Sequence, residues 1–170
     1  MKRVATIILN RNLPGPTNRL YEHLQQHDIE DTDVFVLEAG SEDDKLSDYC
    51  TWHASTPEIR LQGLRYSRGM NYGLLKLWEE GVWEQYDAFF LLTNDTELSP
   101  SPTVSPLLTL LEEHARAGII SPCSRYWGEN LLLKDEPKKY FWFIHNNAYF
   151  LRRKFLESIM EMNQPTYMDF

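Results

Sequence analysis

Three runs of apolar residues, mostly β-branched or aromatic, constrain this chain most, because each is typical of a strand buried on both faces. The runs are RVATIIL (3–9), DVFVLE (33–38) and YDAFFLL (86–92). Segments with apolar residues at helical spacing follow them, at 19–27, 69–81 and 105–118. Buried strands that alternate with amphipathic helices predict an α/β fold with a mainly parallel central sheet flanked by helices. We therefore expect the three strands to be adjacent and parallel.

The remaining segments give weaker signals. Thr17 or Asn18 is expected to cap the helix at 19–27, Gly81 and Gly118 to end the two later helices, and a short strand is expected at 59–61. The sequence further predicts a short strand at IISP (119–122), a long polar loop or hairpin at 124–140, a strand or strand pair at 141–153 and a helix at 154–162.

Composition excludes several classes of protein. The chain has 170 residues, of which 42% are hydrophobic, and residues 1–170 are interpreted as a single domain with its own core. Its net charge of −8 argues against nucleic acid as a partner. No segment approaches the roughly 20 apolar residues of a transmembrane helix, and no signal peptide is evident. We expect a cytoplasmic protein in which Cys50 and Cys123 are reduced.

The candidate site lies in the loops that follow the three strands, because α/β sheets bind ligands beyond the carboxyl ends of their strands. These loops are NRN (10–12), EAGSEDD (38–44) and TNDTE (93–97). The sequence lacks the phosphate-binding GxxxxGK[ST] loop, a GxGxxG after the first strand, and the HExxH, CxxC and GxSxG motifs. A P-loop NTPase and a dinucleotide-binding Rossmann domain are thereby disfavoured.

The loop after the third strand contains two carboxylates, Asp95 and Glu97, which share a face if the strand continues. Oxygen ligands suit Mg²⁺ or Mn²⁺, and Mg²⁺ usually takes only one or two carboxylates together with substrate phosphates. Asp and Asn are also common turn formers, so an ordinary turn into SPSP (99–102) is the alternative interpretation.

Five segments, in this order, resemble the nucleotide-binding half of a GT-A-fold glycosyltransferase of the family 2 type. They are VATIILNRN (4–12), DVFVLEAGSEDD (33–44), SRGMNYGLLKL (67–77), FFLLTNDTELSP (89–100) and FIHNNAYFLRRKFLESI (143–159). Asn71 and Gly73 match the start of a helix in that family, and the fourth segment occupies the place of its DxD motif. The resemblance covers residues 3 to 160.

The resemblance implies that the chain takes a nucleoside-diphosphate sugar as donor and transfers the sugar, with inversion, to a glycan, a lipid-linked sugar or a protein. The donor-binding residues that it implies are Asn10, Arg11, Asn12, Glu38, Ser41, Asn71, Thr93 and Asn94. Asp95 matches the last aspartate of the motif, which implies a ligand for Mg²⁺ or Mn²⁺. The chain departs from the family at Thr93, where the motif begins with Asp, and at Glu38, where an Asp usually binds the base.

The general base of these enzymes lies beyond the position at which this chain ends, so no catalytic residue is assigned. We expect a C-terminally truncated or naturally short form that binds donor, transfers little sugar and forms a homo-oligomer through apolar residues near Phe155, Ile159 and Phe170. The alternative is a non-catalytic nucleotide-sugar-binding or interaction domain that kept the fold. A sugar nucleotidyltransferase is a weaker rival, because NRNLPGP (10–16) lacks the glycine-rich basic loop that such an enzyme needs.

Overall fold

A computed structural model of the protein describes residues 3–122 and 147–160, which contain one six-stranded sheet. The strands are β1 Val4–Asn10, β2 Thr32–Ala39, β3 Cys50–Ala54, β4 Ala88–Thr93, β5 Ile119–Ile120 and β6 Ala148–Arg152. The α-helices are α1 Pro14–His27, α2 Pro57–Gln62, α3 Tyr66–Glu79, α4 Val104–Glu113 and α5 Arg153–Ile159. Short 3-10 helices occupy Asp43–Lys45 and Trp83–Gln85. The predicted loop at 124–140, the first part of the segment 141–153, Cys123 and Phe170 lie outside the described residues.

The strands are ordered β3-β2-β1-β4-β6-β5 across the sheet. β1 pairs in parallel with both β2 and β4, which confirms the expected adjacency of the three long strands. β3 also pairs in parallel with β2, whereas β6 is antiparallel to both β4 and β5. The prediction of a mainly parallel sheet is therefore wrong, and the sheet is mixed. An apolar run shows that a strand is buried but carries no information about its direction, which is why the reversal at β6 was not predicted.

Helices cover both faces of the sheet, as the fully apolar strands require. Alternate residues of β1 face opposite sides: Val4 and Ile8 pack in one core cluster, and Ala5 and Ile7 pack in another. The first cluster includes residues of α1 and α4, namely Leu20, Leu24, Val104, Leu107, Leu108 and Leu111. The second includes Met70, Leu74 and Leu77 of α3 together with Trp83 and Tyr86. None of the described helices is long and apolar enough to cross a lipid bilayer.

Two glycines allow α3 to lie close against β1. A Cβ atom on Gly69 would collide with the side chain of Leu9, and one on Gly73 would lie 3.0 Å from Cγ2 of Ile7. Gly69 thus faces the end of β1 and Gly73 faces its middle, so the helix runs back along the strand. This packing places the first turn of α3 at the carboxyl edge of the sheet.

The region between β2 and α3 differs from the prediction. The expected strand at 59–61 is wrong, because these residues belong to α2 and the strand lies earlier, at β3. Local signals explain the helix: the Thr56 side chain accepts a hydrogen bond from the backbone N–H of Ile59, Pro57 occupies the first turn, and Gly63 ends the helix with φ 69°. The helix buries none of its residues, so it has no apolar stripe that the sequence could reveal.

Two other predicted helix ends were also wrong. α1 begins at Pro14, so Thr17 lies inside the helix, where its hydroxyl donates to the Leu13 carbonyl at 2.9 Å, and neither Thr17 nor Asn18 is the cap. α4 ends at Glu113 rather than at Gly118. By contrast, Gly81 follows the end of α3 with φ 70°, as expected of a glycine that stops a helix.

Gly40, which follows β2, should tolerate substitution far less well than Gly81. Both have positive φ, at 86° and 70°, which costs a residue with a Cβ about 1–2 kcal/mol. A Cβ on Gly40 would in addition collide with the backbone carbonyl of Ile59, whereas nothing lies within 4 Å of one on Gly81. We expect Gly40→Ala to lower the free energy of unfolding by about 3 kcal/mol or more, and Gly81→Ala by about 1 kcal/mol. Urea unfolding measures both, and equal losses would contradict the close packing of α2 on Gly40.

Candidate functional site

The carboxyl ends of β2, β1 and β4 lie side by side and open onto a cleft of about 200 Å³. In the register of the sheet Asn10 is paired with Glu38, and Leu9 is paired with Thr93. The described residues that line the cleft are Leu9, Asn10, Arg11, Leu13, Ala39, Leu64, Tyr66, Thr93 and Asn94. Polar groups from separate parts of the chain therefore meet at one edge of the sheet.

Glu38, near the end of β2, is a carboxylate with 0% of its surface exposed. Its oxygens accept hydrogen bonds from Asn10 Nδ2 at 3.0 and 2.9 Å, from the Ser41 hydroxyl at 2.5 Å and from the Ser47 backbone N–H at 2.8 Å. A buried carboxylate without such partners would cost several kcal/mol, and these donors offset that cost. Glu38 thereby joins β1, β2 and the loop after β2 around a single charge.

Asn10 connects Glu38 to the opposite side of the cleft. Because its Nδ2 faces Glu38, its Oδ1 accepts hydrogen bonds from Asn94 Nδ2 at 2.7 Å and from the Leu13 backbone N–H at 3.2 Å. Leu13 immediately precedes α1, so the Asn10 side chain also supports the start of that helix. We call these three side chains, Glu38, Asn10 and Asn94, the amide network. It spans the ends of β2, β1 and β4.

Arg11 lies on the surface beside the cleft, and the end of α2 already holds its guanidinium group. The group donates to the backbone carbonyls of Gln62 at 3.0 Å, Arg60 at 3.3 Å and Leu61 at 3.4 Å. A Cβ on Gly63 would lie 2.5 Å from Arg11 Nη1, so a glycine is needed for this approach. Arg11 therefore caps a helix in addition to lining the cleft.

Asn12 and Ser41 join the loop after β1 to the loop after β2. Asn12 has φ 60°, a conformation that Asn adopts more readily than most residues. Its backbone N–H donates to the Ser41 hydroxyl at 3.0 Å, and its Oδ1 accepts from the Glu42 backbone N–H at 2.8 Å. Farther along this loop, the hydrogen bond from the Arg60 guanidinium lowers the pKa of the Asp43 carboxyl and ties the loop to α2.

The chain turns sharply after β4. The Thr93 hydroxyl donates to Asp95 Oδ1 at 2.5 Å, and the Thr96 backbone N–H donates to the Thr93 carbonyl at 3.1 Å. The Thr96 hydroxyl then donates to the carbonyl of Asn147, just before β6, at 2.9 Å. Asp95 itself is exposed. The segment is therefore a hydrogen-bonded turn that presents one carboxylate beside the cleft.

A divalent cation fits this edge only as a group shared with a ligand. Among residues 3–122 and 147–160, no group of three or more His, Cys, Asp or Glu side chains could hold a metal ion. Asp95 offers one exposed carboxylate, to which the oxygens of a bound ligand could add. Mg²⁺ is commonly bound in this way, by one or two carboxylates, substrate phosphates and water.

Of two α3 residues considered for the site, Asn71 and Tyr66, only Tyr66 lines the cleft. Asn71 is half-buried in the second turn and is not among the described residues that line the cleft. Tyr66, the first residue of the helix, does line it, and its buried hydroxyl forms no hydrogen bond within the described part of the chain. Burial, reinforced by Tyr149, raises the pKa of Tyr66 above its usual value near 10. The hydroxyl therefore keeps its proton and can donate a hydrogen bond.

The structure brings four of the predicted site residues into the cleft, namely Asn10, Arg11, Thr93 and Asn94. Glu38 and Ser41 are buried behind them and are hydrogen-bonded to each other. Asn12 joins the loops after β1 and β2, and Asp95 accepts a hydrogen bond from Thr93. The apolar lining residues, Tyr66 and the role of Ser47 were not predicted from the sequence. The helix was predicted to begin at Gly69. A predicted start at Tyr66, where α3 begins in the structure, would have placed the tyrosine at this edge.

No protein-family model matches the sequence, and no curated protein is significantly similar to it. The fold is similar to that of the mannosyltransferase PcManGT from Pyrobaculum calidifontis, solved in complex with GDP-Man and Mn²⁺, with a TM-score of 0.56 and 14% sequence identity. The similarity covers 92% of this chain and 46% of the mannosyltransferase chain. The chain thus shares the fold of about half of a glycosyltransferase that uses a nucleotide sugar.

The orphan hydroxyl of Tyr66 yields a stability prediction. Removing a buried polar group that has no partner in residues 3–122 and 147–160 should leave the free energy of unfolding of Tyr66→Phe unchanged or raise it by up to about 1 kcal/mol. Tyr86 is a matched control, because its hydroxyl donates to Asp33 at 3.0 Å and Tyr86→Phe should lose about 1 kcal/mol. Urea unfolding distinguishes the two variants, and an equal loss in both would show that the Tyr66 hydroxyl has a partner in the free protein.

Proposed function

We propose that this chain is the nucleotide-sugar-binding part of a GT-A-like glycosyltransferase, which transfers a sugar from a nucleoside-diphosphate donor. The observation that carries the proposal is the cleft at the carboxyl ends of β2, β1 and β4, with an exposed carboxylate directly after β4. The likeness to a mannosyltransferase bound to GDP-Man and Mn²⁺ supports it. So does the position of the cleft, because open α/β sheets bind ligands at this edge.

The cleft offers two kinds of surface to such a donor. Leu13, Ala39 and Leu64 provide apolar contacts that suit the faces of a nucleobase. Asn94 and Thr93 provide polar groups that can fix the orientation of a ligand. A nucleotide sugar combines an apolar aromatic base with many hydroxyl groups, so both surfaces would be used.

Asp95, together with the diphosphate of the donor, would hold Mg²⁺ or Mn²⁺. When bound, the cation would act as a Lewis acid and neutralise charge on the leaving diphosphate. The chain has a net charge of −8, and a diphosphate placed near Asp95 would be repelled without a cation. Donor binding should therefore depend on the metal.

Transfer also needs a base that deprotonates the acceptor hydroxyl, so that it can attack the anomeric carbon and invert it. Of the described residues that line the cleft, none is Asp, Glu or His. This observation favours a second candidate function, a domain that binds nucleotide sugars without transferring them. The chain also spans only 46% of the mannosyltransferase that it resembles in fold.

Calorimetry tests the proposed role of Asp95. With GDP or UDP as ligand, we expect the parent protein to bind in the presence of Mn²⁺ and to bind poorly in EDTA. Asp95→Asn should weaken binding about tenfold or more, because it removes the charge that holds the cation. Glu97→Gln is the matched control, since it neutralises an exposed carboxylate two residues away. Equal effects of the two substitutions, or binding that is indifferent to Mn²⁺, would return Asp95 to the role of a turn residue.

A transfer assay separates the two candidate functions. The protein is incubated with Mn²⁺, a panel of nucleotide sugars and mixed glycan and lipid-linked acceptors, and release of nucleoside diphosphate is measured. We expect donor binding with little or no transfer by the 170-residue chain, since no base lines the described part of the cleft. Sustained metal-dependent turnover would show instead that these residues contain the base and would exclude the purely binding domain.

A further inference from the structure

The orientation of the amide network suggests a role for Glu38 that does not involve contact with the ligand. We propose that Glu38 is a positioning residue: through Asn10 it fixes the Asn94 amide with its carbonyl oxygen toward the cleft, where it accepts a hydrogen bond from a sugar hydroxyl. The proposal rests on the proposed function, since it assumes that the cleft binds a nucleotide sugar. The hydroxyl belongs to the ribose or to the transferred sugar.

A ligand in the cleft has no direct access to Glu38. The residue is fully buried, and both of its oxygens accept hydrogen bonds from the protein, Oε1 from Asn10 and Ser47 and Oε2 from Asn10 and Ser41. A ligand in the cleft would have to displace these donors to reach the carboxylate. Glu38 can therefore influence the ligand only through the residues that it holds.

Glu38 sets the orientation of the Asn10 side-chain amide. Its Nδ2 lies 3.0 and 2.9 Å from the two Glu38 oxygens, and a reversed amide would place an oxygen at the same distances from a carboxylate. That contact is repulsive, because a carboxylate accepts hydrogen bonds and does not donate them. Glu38 therefore directs Asn10 Oδ1 away from itself. On that side Oδ1 meets two donors, the Leu13 N–H and Asn94 Nδ2.

Asn10 in turn sets the orientation of the Asn94 side-chain amide. Its Nδ2 must face Asn10 Oδ1, since a reversed amide would bring two carbonyl oxygens within 2.7 Å. Its own Oδ1 then points away from Asn10, and Asn94 lines the cleft. Asn94 Oδ1 is thus a carbonyl acceptor at this edge, beside the Thr93 hydroxyl, which donates to Asp95.

The chemistry of the acceptor limits what it can bind. A carbonyl oxygen accepts from a hydroxyl or an N–H group and repels phosphate oxygens, which are themselves acceptors. The diphosphate of a donor would therefore lie away from Asn94, toward the cation at Asp95. The groups of a nucleotide sugar that adjoin its diphosphate are the ribose on one side and the transferred sugar on the other, and both carry hydroxyls.

The test compares ligands that differ in one hydroxyl. Dissociation constants are measured by calorimetry with Mn²⁺ for GDP, its 2′-deoxy, 3′-deoxy and 2′-fluoro forms, and GDP-mannose. For a ribose hydroxyl, the parent should prefer GDP over one deoxy form by about five- to thirtyfold, the effect of one hydrogen bond. A 2′-fluoro group should not restore a lost 2′ contact, since it cannot donate. For a hydroxyl of the transferred sugar, Asn94→Ala should weaken GDP-mannose and leave GDP unchanged.

Two variants and a control test the network itself. Asn94→Ala should abolish the hydroxyl preference. Glu38→Gln, nearly identical in shape, should reduce it although residue 38 does not touch the ligand, because a glutamine amide no longer excludes the reversed Asn10 amide and leaves only the Leu13 N–H to oppose it. Thr32→Val is the control: it removes a buried hydroxyl bond to Thr6 of 2.7 Å at the opposite end of β2, and it should cost stability without changing the preference.

The outcomes separate this inference from the proposed function. If the parent binds neither these guanosine ligands nor UDP in the same assay, the proposed function fails and the inference fails with it. If the parent binds GDP without a preference for a ribose hydroxyl and Asn94→Ala also leaves the affinity for GDP-mannose unchanged, or if folded Asn94→Ala keeps a ribose-hydroxyl preference of the parent, only the inference is overturned. A folded Glu38→Gln protein with the parent's preference would likewise refute the positioning role.

Discussion

The organisation of the candidate site depends on one buried charge, the carboxylate of Glu38. The donors that compensate it come from the end of β1, at Asn10, and from the loop after β2, at Ser41 and Ser47. Removing one partner of a buried charged network commonly costs about 3–5 kcal/mol. The ion pair of Arg60 with Asp43 is exposed to solvent, where such pairs contribute little to stability. The loops at this edge are therefore ordered mainly from the inside, by burial, and the surface ion pairs add little.

The long strands could be predicted from sequence because their signal is local and strong: β1 and β4 are almost wholly buried, so nearly every side chain is apolar. The region from 50 to 62 could not, for two physical reasons. β3 is an edge strand of five residues that pairs with β2 across a register shift, so its alternation of apolar and polar residues extends over too few positions to distinguish a strand from a loop. α2 buries no residue, which leaves only its capping residues, Thr56 and Gly63, as a signal.

The candidate site was predictable to the extent that topology determines it. Once β1 and β4 are adjacent and parallel, the residues that end them must share an edge, so Asn10 and Asn94 could be assigned to the same edge without knowledge of side chains, whereas their contact with a donor stays a prediction. The state of Glu38 was not predictable in this way. Whether a glutamate at a strand end is exposed or buried depends on where distant donors lie, and Ser47 is brought to it by the path of a loop that no local pattern encodes.

Charge at the cleft imposes a further condition on the proposed function. Arg11 is the one cationic residue among the described residues that line the cleft, and it already donates to carbonyls at the end of α2. The protein by itself therefore offers little compensation for a diphosphate, and Asp95 alone offers one exposed carboxylate to a cation. Each ligand supplies what the other lacks, so donor and cation must raise one another's affinity by the same factor. On the proposed function, the amide network would then supply orientation and the cation would supply charge, and this division of roles would explain why Glu38, the most deeply buried carboxylate of the described residues, need not contact the ligand.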